Sequence, residues 1–408
     1  MNVLIIIFAF GGFLRYELFG TLEDEAEWKK QAVTFQFKAD YEDENFYIYG
    51  SFDAIFDALE EEKFYLRPIE GYFSYSGSFY EITLGKKIYS FGKANWLNPT
   101  DIITPWDYSK LYSTLEEFRE GIESAKISLW KGPLALSLFY FTNFRENNYP
   151  IPYLAFPVPM GPETLNFVFN TNIKEKPERK LKNFEGGARL TLLLSGFDIT
   201  FSYFNLYDRD PDLGIRGTPD SLILWLKYNK ISLLGFDFSK TKDVYEFHGE
   251  LSYVLTEDDD GINSQIKNPY IYGIIGAGRS FFDKKIYFEI QTGAKRIINY
   301  KPPEEFGMDK MIEENMQKIS FQTDKIFYYI TADMQIKLLN ERLKFHIPLI
   351  YDITNQDYFS LSRISYDFGK GINFGTGLLL SGGKGYSPFS EMGKHVGDLF
   401  FVEMKYSF

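Results

Sequence analysis

The chain has no cysteine and only 3 histidines among its 408 residues. It also has no run of eighteen apolar residues. Without cysteine there are no disulfides, no thiol chemistry and no Cys-based zinc or iron–sulfur site. Without a long apolar run there is no transmembrane helix. An excess of positive charge is missing as well. Lys and Arg number 44 against 56 Asp and Glu, for a net charge of −12, and the pI is about 5.0. Nucleic acid is therefore not an expected partner, because neutralising phosphates needs a basic face. No G-x-S-x-G, H-E-x-x-H or P-loop motif occurs, so no catalytic residues are assigned and an enzyme is not expected. No cofactor or metal is expected either. "DDDG" at 258–261 hints at a calcium loop but lacks the glutamate that an EF-hand places at its twelfth position.

Aromatic residues are abundant, at 19% of the chain, with 41 Phe and 30 Tyr. They fall in an alternating pattern. In "QAVTFQFKADYE", Val33, Phe35, Phe37, Ala39 and Tyr41 share one face, and Thr34, Gln36, Lys38, Asp40 and Glu42 the other. "GFDITFSY", "VYEFHGELSYVL", "KIYFEIQTGAK" and "YYITADMQIKL" repeat the pattern around Asp198, Glu246, Glu289 and Asp333. Successive side chains of a strand point to opposite faces. Alternation over ten or more residues is long for a globular strand but matches the roughly 9–11 residues that cross a bilayer at a tilt. A soluble barrel would hide its apolar face inside. Here the large apolar faces suit lipid and the charged faces a wide lumen, while closure leaves no unpaired backbone edge in hydrocarbon. The mean hydropathy of −0.24 does not oppose this, because the two faces average out.

Connections alternate between tight and long. Tight ones are expected at Ser76-Gly77, Lys131-Gly132, Ser195-Gly196, Asn229-Lys230, Asp283-Lys284 and Asn340-Glu341. Long ones cover roughly 91–120, 144–183, 207–220, 297–324 and 382–397. Nineteen segments read as strands, starting near Arg15–Leu22. Bacterial single-chain barrels have an even number, so one segment is in excess. The alternation slips between 207 and 270, which places the error there. The expectation is an all-β, single transmembrane antiparallel β-barrel of about 18 strands (16 to 20 are allowed), with short periplasmic turns and long extracellular loops. Residues 1–12 contain an apolar stretch too short to span and read as a signal peptide or its remnant, with 13–408 as the barrel.

The final run, "GDLFFVEMKYSF", has Phe400, Val402, Met404, Tyr406 and Phe408 at alternate positions. It resembles the C-terminal strand of bacterial outer-membrane β-barrels. The resemblance implies that the barrel-assembly machinery reads this strand as an insertion signal and that it closes against the first strand. "LGKKIYSFGKANWLNPTDIITPWDY" (84–108) is loosely similar to a stretch of porin-like barrels. The resemblance implies the bacterial outer membrane as location, with its lipid and lipopolysaccharide as surroundings. It also implies passive diffusion of small hydrophilic solutes as function, and a homotrimer as an assembly open to test. The alternative is a barrel without an open pore that displays its loops as adhesin, receptor or envelope anchor.

The activity of such a barrel is set by its lumen and by loops that narrow it. Lys38, Asp40, Lys126, Arg189, Asp198, Glu246, His248, Glu250, Glu289, Lys295, Asp333, Lys337 and Arg363 are expected to line the pore. Both signs occur, so they imply no clear selectivity. The 91–120 loop is long enough to fold inward, with Trp96, Asp101, Trp106, Asp107 and Arg119 as constriction candidates. Rings beside carboxylates suit sugars or small polar solutes. A second segment, 149–163, carries five prolines and could form a stiff plug or lid.

Overall fold

A computed structural model describes residues 8–23, 25–149, 167–218, 221–303, 308–385 and 387–408. In chain order its strands are β1 (Ala9–Thr21), β2 (Trp28–Glu42), β3 (Phe46–Asp57), β4 (Phe64–Ser76), β5 (Tyr80–Lys87), β6 (Ile122–Lys131) and β7 (Leu134–Phe141). There follow β8 (Phe167–Glu175), β9 (Glu185–Leu194), β10 (Phe197–Tyr207), β11 (Asp212–Thr218), β12 (Ser221–Lys227), β13 (Lys230–Lys242) and β14 (Tyr245–Thr256). The last are β15 (Tyr270–Phe281), β16 (Ile286–Ile297), β17 (Ile326–Leu338), β18 (Leu343–Asp352), β19 (Asp357–Gly369), β20 (Ile372–Gly382) and β21 (Leu399–Ser407). Two helices, α1 (Met308–Ile319) and α2 (Pro388–Val396), lie in long connections.

Eighteen strands form one closed antiparallel barrel. Each pairs with the next wall strand along the chain, β7 with β9 and β10 with β13 across the strands that leave the wall, and β21 returns to β1 over Phe13↔Ser407 to Thr21↔Leu399. The seam is finished by reciprocal backbone hydrogen bonds between Gly12 and Phe408, at 3.2 and 3.1 Å. A Cβ at Gly12 would lie 2.0 Å from the Gln36 carbonyl oxygen, so only glycine lets three backbones approach here. The Phe408 ring stacks on Phe35 at 5.8 Å. Residues 9–12 pair with 37–40 as the first part of β1.

Tight turns such as Gly132, Gly196, Phe282–Lys284 and Leu339–Glu341 sit at one rim, and their positive φ angles reverse the chain over a few residues. Long connections leave the other rim. The excess strand lies where the alternation slips. β11 and β12 have 7 residues each, too few to cross a bilayer. They leave the wall and form a separate sheet with β8. Asn229-Lys230 is accordingly not a rim turn. It joins β12 to β13, where Asn229 donates to Asp212 at 2.8 Å. The proline-rich segment lies, apart from Tyr149, outside the described residues.

The outer face is apolar and exposed. Phe201, Tyr203, Leu251, Ile275, Leu349 and Met404 are typical, at 44–61% relative exposure. In water such a surface would aggregate, whereas in lipid it is solvated. No helix among the described residues is long and apolar enough to cross a membrane.

Candidate functional site: the inward loop and the lumen wall

The connection from β5 to β6 turns into the barrel and is tied to strands around its circumference. Glu250 of β14, 3% exposed, accepts from the backbone N–H groups of Lys93 (2.6 Å), Ala94 (2.7 Å) and Thr100 (3.2 Å), and from the Thr100 hydroxyl at 2.9 Å. Gly92 makes this possible. Its φ is +81°, and a Cβ would lie 2.3 Å from the Glu250 carboxylate. Asn95 donates to both oxygens of Glu289 on β16 at 2.9 Å. The Trp96 indole donates to Asp333 on β17 at 2.9 Å, and His346 of β18 meets the same carboxylate oxygen at 2.6 Å.

The returning limb docks on the opposite wall. Lys30 of β2 donates to the Leu111 carbonyl at 2.6 Å. Ser113 donates to Glu403 of β21 at 2.7 Å. Arg15 of β1 pairs with Glu117 at 2.7 Å, and Arg67 of β4 donates to the Glu117 carbonyl at 2.9 Å. Burial pushes the Glu117 carboxyl up, but Arg15, with Lys30 and Arg67, outweighs it and holds the group at about 2. Within the loop Arg119 pairs with Asp101 and stacks over Trp106 at 4.3 Å. Burial raises the Asp101 carboxyl against the pull of Arg119. Asp107 accepts from the backbone and hydroxyl of Ser109 at 3.1 and 2.5 Å.

All thirteen pore-lining candidates stand on the inward parity of their strands. Glu250, Glu289 and Asp333 meet the loop directly, as above. Asp198 lies 3.5 Å from Lys93. Arg189 pairs with Asp237 at 2.9 Å, Lys126 with Glu81 at 2.6 Å, and Arg363 with Glu403. Glu246 accepts from Tyr287 at 3.0 Å. His248 is buried, its ring against the backbone of Gly276. Lys295 lies over the Tyr270 ring at 4.4 Å. Lys38, Asp40 and Lys337 sit toward the tight-turn rim, away from the loop.

The sequence reading did not single out Arg15, Glu17, Lys30, Arg67 or Glu403. Each lies on the inward face of its strand, so the alternation rule could have found them. It also did not anticipate that inward positions near the loop rim are apolar. Phe139, Phe141, Phe204, Leu206, Leu233 and Val254 pack against Tyr89, Phe91 and Ile103 of the loop. Phe19, Ile350, Phe359, Leu361, Leu379 and Phe401 pack against Tyr112 and Phe118, with Met392 of α2. Two apolar cores thus hold the loop inside the barrel. The polar lumen expected from the sequence occupies the half nearer the tight turns.

One stretch of the lumen wall is acidic and the other carries both signs. On β10, β13, β14, β16 and β17 the inward anions Asp198, Asp237, Glu246, Glu250, Glu289 and Asp333 outnumber the cations. The wall of β1–β4 and β19–β21 is mixed, with Arg15, Lys30, Lys38, Arg67, Arg363 and Lys405 among Glu17, Asp40, Glu42, Asp53, Asp57, Glu70, Asp357 and Glu403.

No family model and no curated protein sequence matches the chain. Among solved structures it is similar to the outer membrane protein opdK from Pseudomonas aeruginosa, at 9% identity and a TM-score of 0.55 over 98% of this chain and 99% of that one. It is also similar to Salmonella typhi OmpF in complex with daunomycin, at 10% identity and a TM-score of 0.45 over 99% and 98%. A third is Vibrio cholerae OmpT, an outer membrane protein in its trimer form, at 9% identity and a TM-score of 0.43 over 98% and 99%. One expectation is corrected at this point. The sequence reading set catalysis aside because familiar motifs are missing. The matches, OmpT among them, share a barrel at 9–10% identity. A shared barrel at that distance does not separate channel from enzyme, and the non-enzyme assignment is withdrawn.

Proposed function

We propose that this bacterial outer-membrane β-barrel, porin-like in architecture, is a narrow channel for passive diffusion of small hydrophilic solutes. The observation that carries the reading is the loop of residues 88–121, which crosses the lumen and is anchored on both walls. A wide barrel with a loop held across it has a defined constriction, and the charges at that level set what passes. The acidic wall, with the net charge of −12, favours cations at the constriction. Assembly as a homotrimer belongs to the same proposal.

The test is planar-bilayer conductance of the refolded protein under two salt gradients. Stable open steps with a cation-selective reversal potential are expected. Clean insertion without conductance would overturn the channel reading. A second reading then takes over, that of a closed barrel displaying its loops as adhesin, receptor or envelope anchor. The two apolar cores filling the loop-rim half of the lumen favour that reading.

A further inference from the structure

Beside the loop lies a cavity of about 200 Å3. Its walls come from three directions. Trp96, Trp106 and Phe118 belong to the inward loop, Phe359 to β19, and Phe389 and Met392 to α2. A second cavity of about 270 Å3 shares Asn95, Trp96 and Leu115 with the first, so these residues partition the two. The second is polar, with Asp333, His346 and Arg363 in its wall. The first is not.

The charged and amide groups that reach the first cavity are engaged by the protein itself, which leaves the Tyr108 and Tyr272 hydroxyls and the Trp106 indole N–H as its polar edge. Asp101 holds Arg119 and accepts from the Phe91 N–H at 3.3 Å. Arg119 is further covered by Trp106. The Asn98 side chain donates to the Phe91 carbonyl and accepts from Thr100. Asn95 is bound to Glu289, and the Trp96 N–H to Asp333. The three groups of the polar edge are fewer than the hydroxyls of a sugar, which would leave the rest unpaired at about 1–3 kcal/mol for each buried group. An apolar ring loses nothing of that kind. An apolar cavity of roughly 150 Å3 in a well-packed protein stays dry and accepts benzene, and this one is larger.

We propose that this cavity is a binding site for a small neutral molecule with a planar apolar ring. It is separate from the polar diffusion path but built by the same loop. Stacking between Trp96, Trp106 and Phe118 supplies the affinity, and closure by α2 limits the size. The docked ring leaves the Asp101–Arg119 pair in place, so binding does not depend on a charge on the ligand.

The experiment titrates 5-fluoroindole into refolded full-length protein in amphipol and follows its fluorine NMR signal. Maltose is the competitor. Leu115→Trp fills the cavity from the loop side and Met392→Trp from α2. Folding of each variant is checked by heat-modifiable migration. Wild type should show a saturable shift that maltose does not displace, and either filled variant should weaken it by about tenfold or more, since an occupied cavity has no room for the ring. An equal shift in a folded variant, no saturable shift in wild type, or displacement by maltose would each overturn the proposal. The readout needs no current. A non-conducting barrel that still binds 5-fluoroindole refutes the diffusion reading alone, and a conducting one that does not bind refutes only this inference.

Discussion

Replacing Glu250 by alanine should release the first limb of the inward loop. The carboxylate accepts four hydrogen bonds from Lys93, Ala94 and Thr100, and it is 3% exposed. Bonds to a charged acceptor contribute about 1.5–3 kcal/mol each, and buried donors left unpaired cost about 1–3 kcal/mol each. Such terms do not add fully, and lumen water can satisfy a detached loop. A net loss of about 4 kcal/mol of docking free energy is a reasonable magnitude, corresponding to roughly a thousandfold change in the docked population. Hydrogen exchange read by mass spectrometry should show protection of residues 91–101 falling by about that factor, while β13 and β14 keep theirs. Single-channel recordings should show a larger and noisier conductance. Glu250→Gln should fall between the two, because its amide presents a donor to the donors of Thr100 or Ala94. Unchanged protection and unchanged conductance in Glu250→Ala would refute the claim that this carboxylate holds the constriction.

Gly92→Ala should reproduce the effect, since φ is +81° and the new methyl would collide with the same carboxylate. The double variant should be less than additive in hydrogen exchange. The second limb should be acid-sensitive. Glu117 has its pKa lowered from 4.5 to about 2, so its stabilisation is complete above pH 4.5 and is lost as pH falls through 2. The shift is worth about 3 kcal/mol, and Glu117→Gln should remove that part of the acid dependence of loop protection. Outside the barrel, Lys267 is buried against Asp208 at 2.9 Å and Asp212 at 3.9 Å. Lys267→Met should destabilise the β8–β11–β12 sheet by about 3–5 kcal/mol, because buried carboxylates lose their partner, and exchange of β11 should report it with conductance retained. On the lipid face, Phe201→Lys near the middle of β10 should cost about 2–4 kcal/mol of folding free energy in lipid vesicles, measured by denaturant titration.

The cavity and the constriction show where reading the sequence stops. Phe35, Phe201 and Met404 declare themselves lipid-facing by alternation with Gln36, Ser202 and Glu403. That is a local property, fixed by the pleat of a single strand. The run from Phe400 to Phe408 is legible for the same reason, and the rim turns at Gly132 and Gly196 follow from the need for positive φ. β12 misled the strand count because alternation does not say whether a strand joins the wall. Seven residues cannot cross, and length settles that once the boundaries are known.

Period two separates inside from outside but gives no position around the ring. Glu250 was visible as an inward acid. That it would grip Lys93, Ala94 and Thr100, some 150 residues earlier in the chain, depends on the register of every strand between them. The same holds for Arg15 with Glu117, and for the apolar inward positions at Phe204, Leu233 and Phe401. Those residues interrupt the expected polar lumen only because a loop lies there to cover them. The sequence by itself therefore determined the barrel, its two faces and its membrane. The closed tertiary structure decided which charges oppose each other, where the lumen narrows and where an apolar cavity opens, because those are distances across a ring that local chain chemistry does not encode.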